Sequence, residues 1–134
     1  MSADLITKAR AARAAGNATV ARALYARAGE LARTAGDELT LCHALRHVSD
    51  LDREAGDIVS AAHAADEAVA ICRTNGAAGP LEFANALRLS ALAHDALSDG
   101  AAPACWREAR DAYREAGIDA AVKECSARLG ESSL

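Results

Sequence analysis

The chain has 134 residues and a formal net charge of -4, and 51% of its positions are hydrophobic although only 3% are aromatic. A chain this long makes one domain and buries about two thirds of the surface its unfolded form exposes, so it needs no covalent staple. More than a quarter of the positions are alanine, the best helix former, and Val, Ile, Phe, Tyr and Trp are scarce. That composition excludes a β-sandwich, a barrel and a doubly wound α/β enzyme, and the acidic balance excludes the basic footprint of a dedicated nucleic-acid binder.

In chain order, seven helices are predicted over about 3–15, 18–35, 38–55, 58–75, 80–98, 102–116 and 119–129. The first three stops are near-identical: Ala15-Gly16-Asn17, Ala35-Gly36-Asp37 and Ala55-Gly56-Asp57, with Gly76 continuing a twenty-residue beat. Glycine just past a helix end takes the left-handed conformation cheaply, and the Asn or Asp after it can cap the next helix. The second helix carries an alanine-lined stripe of Ala21, Tyr25, Ala28 and Ala32, and Ala61, Ala65, Ala68 and Cys72 repeat it on the fourth. Small side chains at this spacing let helix axes approach closely. On the third helix Leu41, Ala44, Leu45, Val48, Leu51 and Ala55 follow the 3.6-residue period. His43, Arg46, His47, Asp50, Arg53 and Glu54 lie opposite, so this helix has one dry face. Gly79-Pro80 opens the fifth helix and Gly100 to Pro103 the sixth, with proline in the first turn where its missing N–H does no harm. Ala116-Gly117-Ile118-Asp119 repeats the stop signal before the seventh. Connections of two or three residues make successive helices antiparallel neighbours.

Little chemistry is written into the chain. Cys42, Cys72, Cys105 and Cys125 stand singly inside helical patterns, without a C-x-x-C pair, and read as small buried hydrophobes. The N-terminus has no run long enough for a signal peptide, and no stretch approaches a membrane span, so a cytoplasmic chain with reduced thiols and no membrane partner is expected. His43 and His47 share one helix face with Asp50 a turn further on, the spacing of a two-histidine metal site. A third protein ligand and the Glu of H-E-x-x-H are missing, so a polar face with one packed histidine is the preferred reading and no metal or cofactor is assigned. His63 and His94 are isolated. With turns too short to build an oxyanion hole beside a nucleophile and base, no enzyme is expected.

Self-similarity over about forty residues is the mark of a solenoid of helix pairs. Ala21/Tyr25/Ala28 recurs as Ala109/Tyr113/Ala116, and Leu45 to Leu51 followed by Ala55-Gly56-Asp57 resembles the first helix and turn of a tetratricopeptide (TPR) repeat. The resemblance covers essentially all of the chain as a single domain, residues 1–134, and its long period is similar to the extended repeats of kinesin light chains and bacterial peptide-sensing regulators. It implies an all-α fold, a right-handed α-solenoid of three hairpins (about 3–35, 38–75 and 80–116) with a capping helix near 119–129. Three features depart from the pattern. Ala65 replaces the aromatic of the middle repeat, Asp52 and His94 stand where the first helix usually carries Tyr, and the third hairpin is lengthened around Gly100 to Pro103.

The resemblance also implies a use, a concave groove that takes an extended or helical peptide. Carried over repeat by repeat, the groove presents Arg10 and Arg13, then His43, Arg46, Asp50 and Arg53, then Asn85, Arg88, Leu92 and Asp95. Arginine holds a carboxylate bidentately, so an acidic or C-terminal peptide suits it. The alternative is that Arg46, Asp50 and Arg53 pair with one another on a wet helix, at roughly a few tenths of a kcal/mol each. Family members that clamp a C-terminal carboxylate do so with Lys, Asn and Arg, whereas the matching positions here hold Ile6, Arg10, His47, Asn85 and Leu89, so that set is broken. Lys8, Arg10, Arg13, Arg22, Arg27 and Arg33 face only Asp4 and Glu30 in the first hairpin, and acids prevail beyond it. Ends of opposite charge make a homodimer the second expectation. Nucleic acid ranks below both, because no aromatic residues beside the arginines offer a stacking platform.

Overall fold

Three of the glycines on the twenty-residue beat adopt the backbone their spacing requires: φ is +80° at Gly16, +73° at Gly36 and +87° at Gly56. The residue after each accepts a backbone N–H three positions on, Asn17 from Val20, Asp37 from Thr40 and Asp57 from Ser60. The computed structural model describes residues 1–131 and contains α1 (Ser2–Ala14), α2 (Ala18–Ala35), α3 (Glu38–Glu54), α4 (Ile58–Thr74), α5 (Gly79–Leu97), α6 (Ala102–Ala116) and α7 (Asp119–Arg128). No strand occurs among the described residues, and none of their helices is long and apolar enough to cross a membrane.

Two turns differ from expectation. Gly76 opens a 3-10 turn, Gly76–Ala78, instead of closing α4, and Gly79 supplies the positive φ of +77° that starts α5. Asn75, not a glycine, ends α4, and its side chain accepts from Ala77 N–H. Before α7 the flanking residue is Ile118, which caps nothing, while Asp119 is the first helical residue and sits where its charge meets the positive helix end.

The helices pack in adjacent pairs along the chain, and α3 also lies against α5. Ala21, Tyr25, Ala28 and Ala32 are all buried, as are Ala61, Ala65, Ala68 and Cys72. Close approach of α2 and α3 is visible at Gly29, where a Cβ would meet Ala44 Cβ at 3.5 Å and Leu41 Cδ1 at 3.6 Å. One apolar cluster runs from Ala32 and Leu41 through Leu87 to Trp106 and Cys125, and a smaller one joins Ala9, Ala21, Tyr25, Val48 and Leu51. Leu45 packs against both. Ala55, placed on the dry face of α3 by periodicity, lies beyond the helix end and is exposed. Ser49 and Asp52 are buried in its stead, Ser49 donating to the Ala61 carbonyl and Asp52 accepting from Arg22 and Ser60.

Helices two apart in the chain are joined by ion pairs at a regular offset. Arg13 of α1 holds Asp50 of α3, Arg46 of α3 holds Glu82 of α5, and Arg88 of α5 holds Glu124 of α7, at separations of 37, 36 and 36 residues. Arg33 with Glu67 and Arg73 with Glu108 do the same from α2 to α4 and from α4 to α6, at 34 and 35 residues.

Candidate functional site

A cavity of about 370 Å³ opens between α3, α5 and the start of α7. Arg46, His47 and Asp50 come to it from α3, and Leu81, Asn85, Arg88 and Leu89 from α5. Tyr113 closes it from the end of α6, with Ile118 and Ala121 at the entry to α7. Residues three and four apart on a helix share a face, which is why Arg46 and Asp50 arrive together, as do Asn85, Arg88 and Leu89. Leu81 and Ile118 stand at the mouth, 43% and 39% exposed, large apolar side chains left in water.

Four of the expected groove residues therefore line one space: Arg46, Asp50, Asn85 and Arg88. Arg13 and Arg53 stand behind it, both holding Asp50. Burial would raise the Asp50 carboxyl, yet these two guanidinium groups hold it below the ordinary carboxylate value. Arg10 is exposed and makes no ion pair among the described residues. Leu92 and Asp95 do not line the cavity. Leu92 packs against the large apolar cluster, and Asp95 accepts the Trp106 indole N–H at 2.7 Å, tying α5 to α6. Seven residues of α5, Ala84, Ala86, Leu87, Leu89, Ser90, Ala91 and Ala93, are buried, and their spacing leaves no single polar stripe to mark its working face. Leu81, Tyr113, Ile118 and Ala121 escaped sequence reasoning. Leu81 and Ile118 were signalled only as large apolar residues at a helix start, and Tyr113 only as the aromatic of the repeated Ala109/Tyr113/Ala116 pattern.

The histidines of α3 serve as packing. His47 stacks flat on Tyr25 with ring centroids 4.2 Å apart, and His43 meets His47 edge-on at 4.7 Å. Arg13 donates to His47 Nδ1 at 2.8 Å, which makes that nitrogen the acceptor of a neutral ring. Burial, reinforced by the charges of His43, Arg13 and Arg46, pulls His47 down to about 4. His43 is lowered as well, by burial and by Arg46. Among the described residues no three His, Cys, Asp or Glu side chains gather to hold a metal.

The arginines of the cavity already hold carboxylates of their own chain. Glu124 keeps the Arg88 guanidinium above its usual value and is itself held below the carboxylate range by Arg88. Arg46 Nε and Arg53 Nη1 are buried without an acceptor and have no surface to offer a guest. Tyr113 donates its hydroxyl to Asn85 Oδ1 at 2.7 Å, fixing the amide so that its NH₂ is the group left to donate. Burial pushes the Tyr113 hydroxyl up to about 12, so it stays a donor at neutral pH. The site thus offers hydrogen-bond donors beside apolar surface, a lining suited to backbone carbonyls and aliphatic side chains.

No family model matches the chain, and no curated protein or solved structure matches it.

Proposed function

We propose that the chain is a helical-hairpin repeat module of the tetratricopeptide kind its sequence resembles, and that it binds an extended segment of a partner protein in the cavity between α3, α5 and α7. The reading includes no chemistry of its own. The observation that carries it is the pairing, in one open cavity, of the Asn85 amide, whose NH₂ is left to donate once Oδ1 accepts from Tyr113, with the water-exposed Leu81 and Ile118. A solenoid of hairpins is supported by the ion pairs that join every second helix at 34 to 37 residues, since stacked repeats set equivalent residues side by side at a constant offset. The guest is held chiefly by its backbone carbonyls and aliphatic side chains. An acidic guest would have to exchange with Glu82 or Glu124, so its charge contributes less than the count of arginines implies.

An array of immobilised peptides probed with purified protein tests this reading. Asn85→Ala and Ile118→Ser should each weaken the bound set about tenfold or more, since losing one well-placed contact is worth about 1.4 kcal/mol. The exchange Arg88→Glu with Glu124→Arg should preserve folding while altering which peptides are held. An unchanged array for all three variants removes the cavity from consideration.

A second copy of the chain is the other reading, favoured by one observation. Lys8, Arg10 and Arg27 near the start are exposed and take no part in the ion pairs of the described residues, a basic surface that the acids of a second copy could meet. Light scattering across protein concentration and salt separates the readings, because a charge-complementary dimer dissociates as ionic strength rises.

A further inference from the structure

Cys42 and Cys72 approach each other across the α3–α4 hairpin with their sulfurs 3.5 Å apart, both free and both buried. From this juxtaposition we infer that Cys42 and Cys72 form an intramolecular disulfide on exposure to a peroxide-class oxidant, making the hairpin a redox-modifiable element. A disulfide needs sulfurs about 2.05 Å apart, so the pair must close by about 1.5 Å, within the reach of side-chain rotation. No other cysteine stands so placed. Cys105 contacts Ser90 at 3.6 Å, and Cys125 is buried on α7.

The pair can be reached from outside, and Cys72 is the more exposed of its members. A cavity of about 250 Å³, lined by Leu39, Cys42, His43, Ala77, Ala78 and Glu82, reaches the Cys42 side and is wide enough for hydrogen peroxide. Cys72 keeps 9% of its surface against 2% for Cys42. Cys42 Sγ lies 3.8 Å from the Ala68 carbonyl and 3.5 Å from Cys72 Sγ, and its single proton serves one of them at a time; turned toward Cys72 it favours the anion on that more exposed sulfur. Cys72 is accordingly the attacking thiolate and Cys42 the resolving thiol.

The step balances. Cys72 Sγ, having released its proton, forms a bond to one peroxide oxygen; the O–O bond breaks, and the departing hydroxide takes up that proton as water. Cys42 Sγ then attacks the sulfenic sulfur, the S–O bond breaks, and the hydroxyl leaves with the Cys42 proton as a second water. Two thiols lose two electrons and two protons, and the peroxide is reduced to two waters.

Titrating the whole protein with hydrogen peroxide and measuring intact and digested masses tests the inference. Expected are a monomer lighter by two hydrogens, a crosslinked peptide containing Cys42 and Cys72, full reversal by dithiothreitol, and a higher melting temperature for the oxidised form. Cys42→Ser and Cys72→Ser should each abolish the crosslink, and Cys105→Ser with Cys125→Ser should leave it intact. If either single variant unfolds, the wild-type peptide map still decides. Oxidation confined to Cys105, an intermolecular crosslink, or Cys72 running on to sulfinic acid with Cys42 untouched would each overturn the inference.

Discussion

Tyr25 is wholly buried, yet its hydroxyl finds no partner among the described residues, because the ring is stacked flat on His47 inside an alanine-lined groove. An unpaired buried hydroxyl contributes nothing and carries a desolvation penalty, so Tyr25→Phe should leave stability unchanged or raise it by up to about 1 kcal/mol. A loss of more than that in urea unfolding would show that the hydroxyl is satisfied in solution. His47 sets an acid-side limit. Its folded value of about 4 lies below the ordinary 6.5, so the unfolded chain takes up a proton that the folded chain refuses. Its contribution is fully present above 6.5 and lost as pH falls from there toward 4. His94 acts in the opposite sense: although burial alone would lower it, bonds to Asp99 and Asp66 raise it, so its contribution is present below 6.5 and lost as pH rises through the raised value. Urea midpoints measured against pH should lose the acid-side slope in His47→Gln and the alkaline-side slope in His94→Gln. The sequence foresaw one packed histidine on α3 but neither partner that decides the shifts, Tyr25 and Arg13 for His47 and Asp66 for His94, since those lie on other helices.

At the scale of the element, glycine separates into two classes. Gly29 lies inside α2 with ordinary helical backbone, and a methyl group there would make only van der Waals contact with Ala44 and Leu41. Gly29→Ala should therefore stabilise by about 0.5–1 kcal/mol through helix propensity and reduced freedom of the unfolded chain. Gly36→Ala should destabilise by about 1 kcal/mol or more, because φ there is +73°. Shifts in melting temperature of opposite sign would verify the pair, and a destabilised Gly29→Ala would mean that α2 and α3 approach more closely than the 3.5 Å contact allows. Such caps and stops were readable from the chain because they act over three or four residues: Asn17 reaches Val20, and Asp57 reaches Ser60. Arg46 and Glu82 are 36 residues apart, and Cys42 and Cys72 are 30 apart, so local pattern had no access to either pairing. Asp52 and His94 were noticed only as departures from a repeat. Both carry inter-helix hydrogen bonds, Asp52 to Arg22 and Ser60 and His94 to Asp66, and His94 also holds Asp99 in the turn after α5.

Across the whole molecule, the two apolar clusters meet at Leu45 of α3. A joint of this kind couples the melting of the two halves, and trimming it should uncouple them. Leu45→Ala is expected to lower stability by about 2–4 kcal/mol and to broaden or split the calorimetric transition, while a sharp single transition would place the coupling in the ion pairs instead. Those pairs are partly exposed, worth about 0–1 kcal/mol each, and contribute more to order than to strength. In the five pairs that join helices two apart at 34 to 37 residues, from Arg13 to Glu124, the guanidinium belongs to the earlier helix and the carboxylate to the later, as it does in Arg13–Glu54 and Arg22–Asp52. The array consequently has a sense of direction, like a one-way ratchet. A hairpin docking with its two faces exchanged would set guanidinium against guanidinium, and that repulsion disfavours the inverted stacking even where alanine seams, alike on every side, would accept it.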